Sequence, residues 1–161
     1  MSNPDTICQF LYREAELCDA QDWDAYLALY DENCELHVPQ WDSEHIYTKD
    51  PETEMSLMYY DSRAGLEDRV FRLRTGLSAA SEPLPRTVHM LSNIRCEAVS
   101  SHLWQAKCNW MTNFFQFGES GSFFGWSHYK VSCETENLKI VSKQVVILND
   151  TIKHVLDFYH I

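Results

Sequence analysis

The chain has 161 residues, 45% of them hydrophobic, enough for one domain with a sizeable core. Its 24 acidic residues outnumber 13 basic ones, and a net charge of −11 excludes a general nucleic-acid or anionic-membrane binder, which needs a basic surface. No run of about 18 apolar residues occurs, and the start carries acids in place of a basic, apolar leader, so the sequence predicts a soluble cytoplasmic protein.

Taken in chain order, a first helix is expected from Asp5 or Thr6, with Thr6 and Gln9 at capping-box spacing and Ile7, Phe10, Leu11, Leu17 and Cys18 on its buried face. Asp22 is placed to cap a short second helix, in which Trp23, Tyr26, Leu27 and Tyr30 fall at i, i+3, i+4 and i+7. Residues 35–38 read as a short strand stopped by Pro39, 40–51 as an acidic polar loop, and 55–60 as an apolar, aromatic strand. A third helix is predicted over 65–75. Glu67 and Asp68 fall in its first turn, Arg72 and Arg74 in its last, Gly76 ends it, and Leu66, Val70 and Leu73 form its stripe. Residues 78–85, small and twice proline, predict a loop.

From Arg86 onward the period is two. Strands are expected over 87–99, 103–117, 122–133 and 138–148, with a hairpin turn at 118–121. Several of these strands are apolar on both sides, which predicts a cover on each: helices on one and another subunit on the other. The order of elements implies a single α+β domain over 1–161, with a curved antiparallel sheet wrapped around helices.

Charge is unevenly distributed. Residues 55–95 hold six of the seven arginines, no lysine and only four acids, so this stretch carries +2 while the rest sums to −13. Arginine binds carboxylates through a planar fork and is enriched in interfaces together with Tyr and Phe. Tyr59, Tyr60, Arg63, Arg69, Arg72, Arg74 and Arg86 are therefore candidate subunit-contact residues; the competing reading is a solvated helix face.

Motifs for metals and nucleophiles are missing. None of the seven histidines lies three or four residues from another, and Cys34-Glu-Leu-His37 lacks the Cys-x-His partner that a Rieske cluster requires. There is no G-x-S-x-G elbow and no phosphate loop; Gly118-Glu-Ser-Gly121 reads as a turn. The six scattered cysteines read as reduced core residues. Acid/base chemistry stays open, because a histidine and a carboxylate can meet across a sheet. Asp31, His37 and His89 are its foremost candidates, with His102, Tyr30 and Tyr59 behind them. The plain alternative is that all are hydrogen-bonded strand and loop residues.

Three segments carry a family resemblance: DPETEMSLMYYDSRAGLEDRVFRLRTG, then SAASEPLPRTVHMLSNIR, and the C-terminal DFYHI. Together they resemble the small (beta) subunit of bacterial aromatic-ring-hydroxylating dioxygenases, in the benzoate and anthranilate branch. The resemblance implies a cone-like fold of the nuclear transport factor and scytalone dehydratase kind, and no cofactor on this chain. It further implies a larger alpha subunit bearing a Rieske 2Fe-2S cluster and a mononuclear iron, an alpha3beta3 assembly, and NADH electrons arriving through a separate reductase. A second reading keeps the fold and makes the chain a free-standing dehydratase or isomerase with a His-carboxylate pair in its pocket. A third is a plain ligand-binding module.

Overall fold

The computed structural model describes residues 2–161. Helix α1 spans Pro4–Asp19, α2 Trp23–Ala28 and α3 Arg63–Thr75; the strands are β1 Tyr30–Pro39, β2 Ser56–Tyr60, β3 Arg86–Ser100, β4 Leu103–Gln116, β5 Glu119–Ser132 and β6 Lys139–Ile147.

α1 begins earlier than the capping-box spacing suggests. Asn3 accepts the Thr6 amide at 2.9 Å and Pro4 takes the first helical position, a stronger start than Thr6 offers. Ile7, Leu11, Leu17 and Cys18 are buried as expected, and so is Glu14 within the same stripe. Asp22 does cap α2, accepting from the Ala25 amide at 3.3 Å. Tyr30, expected on that helix, instead opens β1 and pairs with Ile140 of β6.

β1 has ten residues where four were expected, because an irregularity in its pairing with β6 between Tyr30 and Glu35 breaks the period-two pattern there. The sheet order is β2-β1-β6-β5-β4-β3, antiparallel throughout except for the parallel β1–β6 pair, so the expected antiparallel sheet is a mixed one.

α3 starts at Arg63, which moves Glu67 and Asp68 out of its first turn. They act along the helix instead, pairing with Arg63 at 2.8 Å and Arg72 at 3.0 Å at i,i+4 spacing. Its far end is as predicted: Leu66, Val70 and Leu73 are buried, and Gly76 closes it in the left-handed conformation at φ 65°. The β4–β5 turn is two residues, Phe117-Gly118, both at positive φ (53° and 78°), as a tight hairpin of this twist requires. Gly121, expected in the turn, lies in β5, where an added Cβ would meet the Phe114 ring at 2.5 Å. The 78–85 loop contains one short 3-10 turn at Ala79–Ser81 and is held to β4 by Gln116, whose amide donates to the carbonyls of Ala80 and Pro83.

The core lies between α1, α2, α3 and the inner face of the sheet, and a second cluster around Trp110, Phe114, Phe123 and Ile161 continues it under the C-terminal tail. At its centre is an ion pair. Glu14 and Lys143, each 3% exposed, meet at 2.7 Å. The Tyr129 hydroxyl donates to the other carboxylate oxygen at 3.1 Å, Tyr30 donates to the first, and Tyr26 and Tyr30 share a hydrogen bond at 2.9 Å. Glu14 thereby ties α1 to β1, β5 and β6. Glu14→Ala is expected to lower unfolding free energy by about 3–5 kcal/mol, because Lys143 would be left charged and unpaired in the core. Replacing both, Glu14→Gln with Lys143→Met, is expected to cost clearly less than the sum of the single changes in denaturant titrations.

Candidate functional site

The inner face of the sheet is where a cone-shaped fold could hold a substrate. Here it is filled. What remains beside Glu14, Lys143 and Tyr129 is a cavity of about 10 Å³, room for about one water. Burial holds the hydroxyls of Tyr26, Tyr30 and Tyr129 protonated, pushing each well above its ordinary range, with Glu14 adding to the shift.

His89, the best placed of the acid/base candidates, reaches this interior. Its Nδ1 lies 2.5 Å from Asp19, whose other oxygen accepts the His89 backbone amide at 3.0 Å, and Thr87 donates to the same carboxylate at 2.9 Å. Burial alone would raise the Asp19 carboxyl, but the hydrogen bonds from His89 and Thr87 prevail and hold it below its usual range. Among the described residues His89 Nε2 has no hydrogen-bond partner although buried, nor has Trp110 Nε1, and both residues line the small cavity. A His-Asp pair is present, therefore, but with no space for a substrate beside it.

Asp31 and His37 lie elsewhere. Asp31 accepts the Asn33 amide at 2.9 Å at the start of β1. His37 is on the outer face, its Nε2 3.1 Å from Ser56, and burial lowers its pKa against the opposing pull of Glu35 and Glu54. The structure does not bring Asp31, His37 and His89 together. Among the described residues no group of three or more His, Cys, Asp or Glu could hold a metal ion. The six cysteines are free, and burial pushes the thiols of Cys34 and Cys108 up to about 11 and about 12.

The arginine-rich segment divides. Arg69 pairs with the buried carboxylate of Asp157, tying α3 to the tail. Arg63 donates to the Tyr30 carbonyl at 3.0 Å as well as to Glu67, and Arg74 reaches Asp24 of α2 at 2.9 Å. Arg86 lies 5.0 Å above the Phe115 ring. Tyr60 packs over Gly65, and Tyr59 stands edge-on to His37 at 5.9 Å. Among the described residues Arg72, more than half exposed, makes an ion pair only with Asp68 on its own helix, next to Phe71, which is 62% exposed.

The outer face of the sheet is apolar toward one end. Met90, Met111 and Phe124 face one another across β3, β4 and β5, each at least 40% exposed, and with Trp126 and Leu148 they line a groove of about 470 Å³. Exposed apolar rows of this kind mark contact surfaces.

Sequence reasoning missed Glu14, Lys143, Asp19 and Asp157. The available signals were weak ones: an acid inside an apolar helix stripe, and Lys143 in the middle of the largely apolar 138–148 strand.

The interior is filled and the outer sheet face is apolar toward one end, as in a domain that meets another chain through its sheet. The comparisons agree. Residues 13–154 match the ring hydroxylating beta subunit family, and the chain belongs to it. It is 46% identical to the anthranilate 1,2-dioxygenase small subunit of Acinetobacter baylyi, covering 96% of this chain and 95% of that one. Identity to the benzoate 1,2-dioxygenase subunit beta of the same organism is 43%, over 96% and 92%. The crystal structure of the benzoate 1,2-dioxygenase beta subunit of Burkholderia mallei superposes with a TM-score of 0.84 at 37% identity, over 100% of this chain and 99% of that one. An NTF2-like protein with a cystatin-like fold from Novosphingobium aromaticivorans shares the fold, with a TM-score of 0.60 at 17% identity over 94% and 87%.

The tail supplies a pH test. His160 is buried against Phe114, Phe123 and Tyr159, and its Nδ1 accepts the Asp157 amide at 3.0 Å. Burial, with His154 and His89 adding to it, lowers its pKa to about 3. The unfolded chain takes up this proton near pH 6.5 and the folded chain does not, so this contribution to stability is complete above pH 6.5 and is lost as pH falls toward 3. His160→Asn, which can still accept the amide but does not titrate, is expected to flatten the fall in stability across that window by up to about 1.4 kcal/mol per pH unit, read by urea titration at stepped pH.

Proposed function

We propose that the chain is the small subunit of a multicomponent dioxygenase that dihydroxylates an aromatic carboxylate of the anthranilate or benzoate type, and that its own part is structural. The observation that carries this reading is end-to-end similarity to the anthranilate dioxygenase small subunit, in a chain whose interior has no room for a substrate. The identities favour anthranilate over benzoate by a narrow margin.

In this reading residues 1–161 form one domain that works in the bacterial cytoplasm. The catalytic centre is on a larger alpha subunit, which bears a Rieske 2Fe-2S cluster and a mononuclear iron and receives NADH electrons through a separate reductase. Those groups supply activation of O2, both of whose atoms enter the ring; no side chain of this chain takes part. Three copies of each subunit assemble, with the apolar outer rows around Met111 and Phe124 meeting neighbouring small subunits. Arg72 and Phe71 on α3 meet the alpha subunit, together with Arg86 and Tyr59. Arg63, Arg69 and Arg74 hold α3 in position through their contacts within the chain.

The direct test is to tag this chain in its own host and record the visible spectrum of what co-purifies. A larger partner with the brown absorbance of an iron–sulfur protein is expected; a colourless preparation of this chain alone would contradict the proposal. Arg72→Glu is expected to leave the domain folded, at a cost of about 0.5 kcal/mol from repulsion with Asp68, while the partner is lost from the pull-down. Normal recovery of a fully active partner would remove Arg72 from the interface.

A further inference from the structure

A feature of the outer face is not explained by assembly. Beyond the apolar rows, Lys107 of β4, His128 of β5, Gln144 of β6 and His37 of β1 stand directly opposite one another in register across four strands. Their side chains alternate with inward-facing Ala106, Tyr129 and Lys143, so they share the outer surface. In the next row Gln105 pairs with Lys130, and Lys130 with Ser142. Lys49 and Pro51, from the loop between β1 and β2, complete the wall of a pocket of about 250 Å³.

The charge of this pocket runs against that of the protein. Three of the six lysines, Lys49, Lys107 and Lys130, line it together with His37 and His128, against a single acid, Glu35. Among the described residues none of these three lysines has a carboxylate partner, although the chain carries 24 acids. Glu35 accepts a long hydrogen bond of 3.5 Å from Tyr59. Unpaired like charges in one concavity repel each other and attract counter-charge, and low-dielectric walls focus that field. Pro51 and the lysine stems add apolar wall, and the volume is below that of a drug-sized site.

We propose that this pocket binds a small monocarboxylate, its anionic head among Lys107, Lys130 and His128 and its body against Pro51. The apolar part of the wall, Pro51 and the lysine stems, favours a carboxylate with an organic body over a bare inorganic anion. The site uses only side chains of this chain, goes beyond the assembly role and does not depend on it.

The test is a titration of the isotopically labelled full-length chain with benzoate, and separately with inorganic phosphate, followed by NMR of backbone amides and histidine rings. Saturable shifts are expected with benzoate at Lys107, His128, Gln144 and His37, and weaker or unsaturated ones with phosphate. The double variant Lys107→Ala, Lys130→Ala is expected to weaken benzoate binding at least about tenfold, since hydrogen bonds to charged groups are lost. Lys153→Ala, away from the pocket, should leave it unchanged, and the melting temperature of both variants should match the parent. Benzoate shifts that never saturate, that survive the double variant, or that phosphate reproduces at equal affinity would overturn the proposal.

Discussion

The ion pair of Glu14 and Lys143 is the constraint on which the interior depends. Two charges in a core are tolerated only when they meet each other and when their remaining hydrogen-bonding capacity is met as well. Here Tyr30 and Tyr129 meet it for the carboxylate, and Lys143 also lies 3.4 Å from the Ile161 carbonyl. Helix α1, three strands and the end of the chain are thereby brought to one point. That point is where a cone fold with its own chemistry would keep a cavity. In this protein it is occupied by structural side chains, and the His89–Asp19 pair is enclosed with them.

With the inside filled, the surfaces open to other molecules are on the outside. The outer face of the sheet is divided, with apolar side chains toward one end and unpaired cations toward the other. The helices are divided too. Arg69 and Arg74 join α3 to the tail and to α2, and Arg63 joins it to β1, which fixes the helix and so the angle at which Phe71 and Arg72 project. One cluster of arginines in the sequence thus divides between contacts within the chain, for Arg63, Arg69 and Arg74, and the proposed partner surface, for Arg72. The buried carboxylate of Asp157 explains why Arg69 cannot be spared for a partner.

Much of this was legible in the sequence, because local chemistry decides it. The Asp22 cap, the Leu66-Val70-Leu73 stripe, the Gly76 stop and the long period-two strands all follow from neighbouring residues, and the GLEDRVFRLRTG and PRTVHMLSN segments point to the family. What was not legible depends on distant pairing. The irregular stretch of β1 concealed five of its residues, 30–34, and the parallel β1–β6 contact joins strands from opposite ends of the chain. Glu14 and Lys143 are 129 residues apart, and Asp19 and His89 are 70 apart. Each looked like an ordinary polar residue until the fold supplied its partner. The grouping of Asp31, His37 and His89 that the dehydratase or isomerase reading required did not form, because alternation along the strands sends His37 outward and His89 inward.

In the proposed assembly this chain contributes architecture and no chemistry. The most direct measurement is turnover per iron of the assembled oxygenase carrying His89→Gln in the small subunit, with the mass of the complex determined on the same sample. Full-size complexes with turnover close to that of the parent are expected, whatever the loss in thermal stability. Complexes of normal mass and iron content with turnover reduced a hundredfold or more, the range expected for loss of a general acid or base, would contradict it.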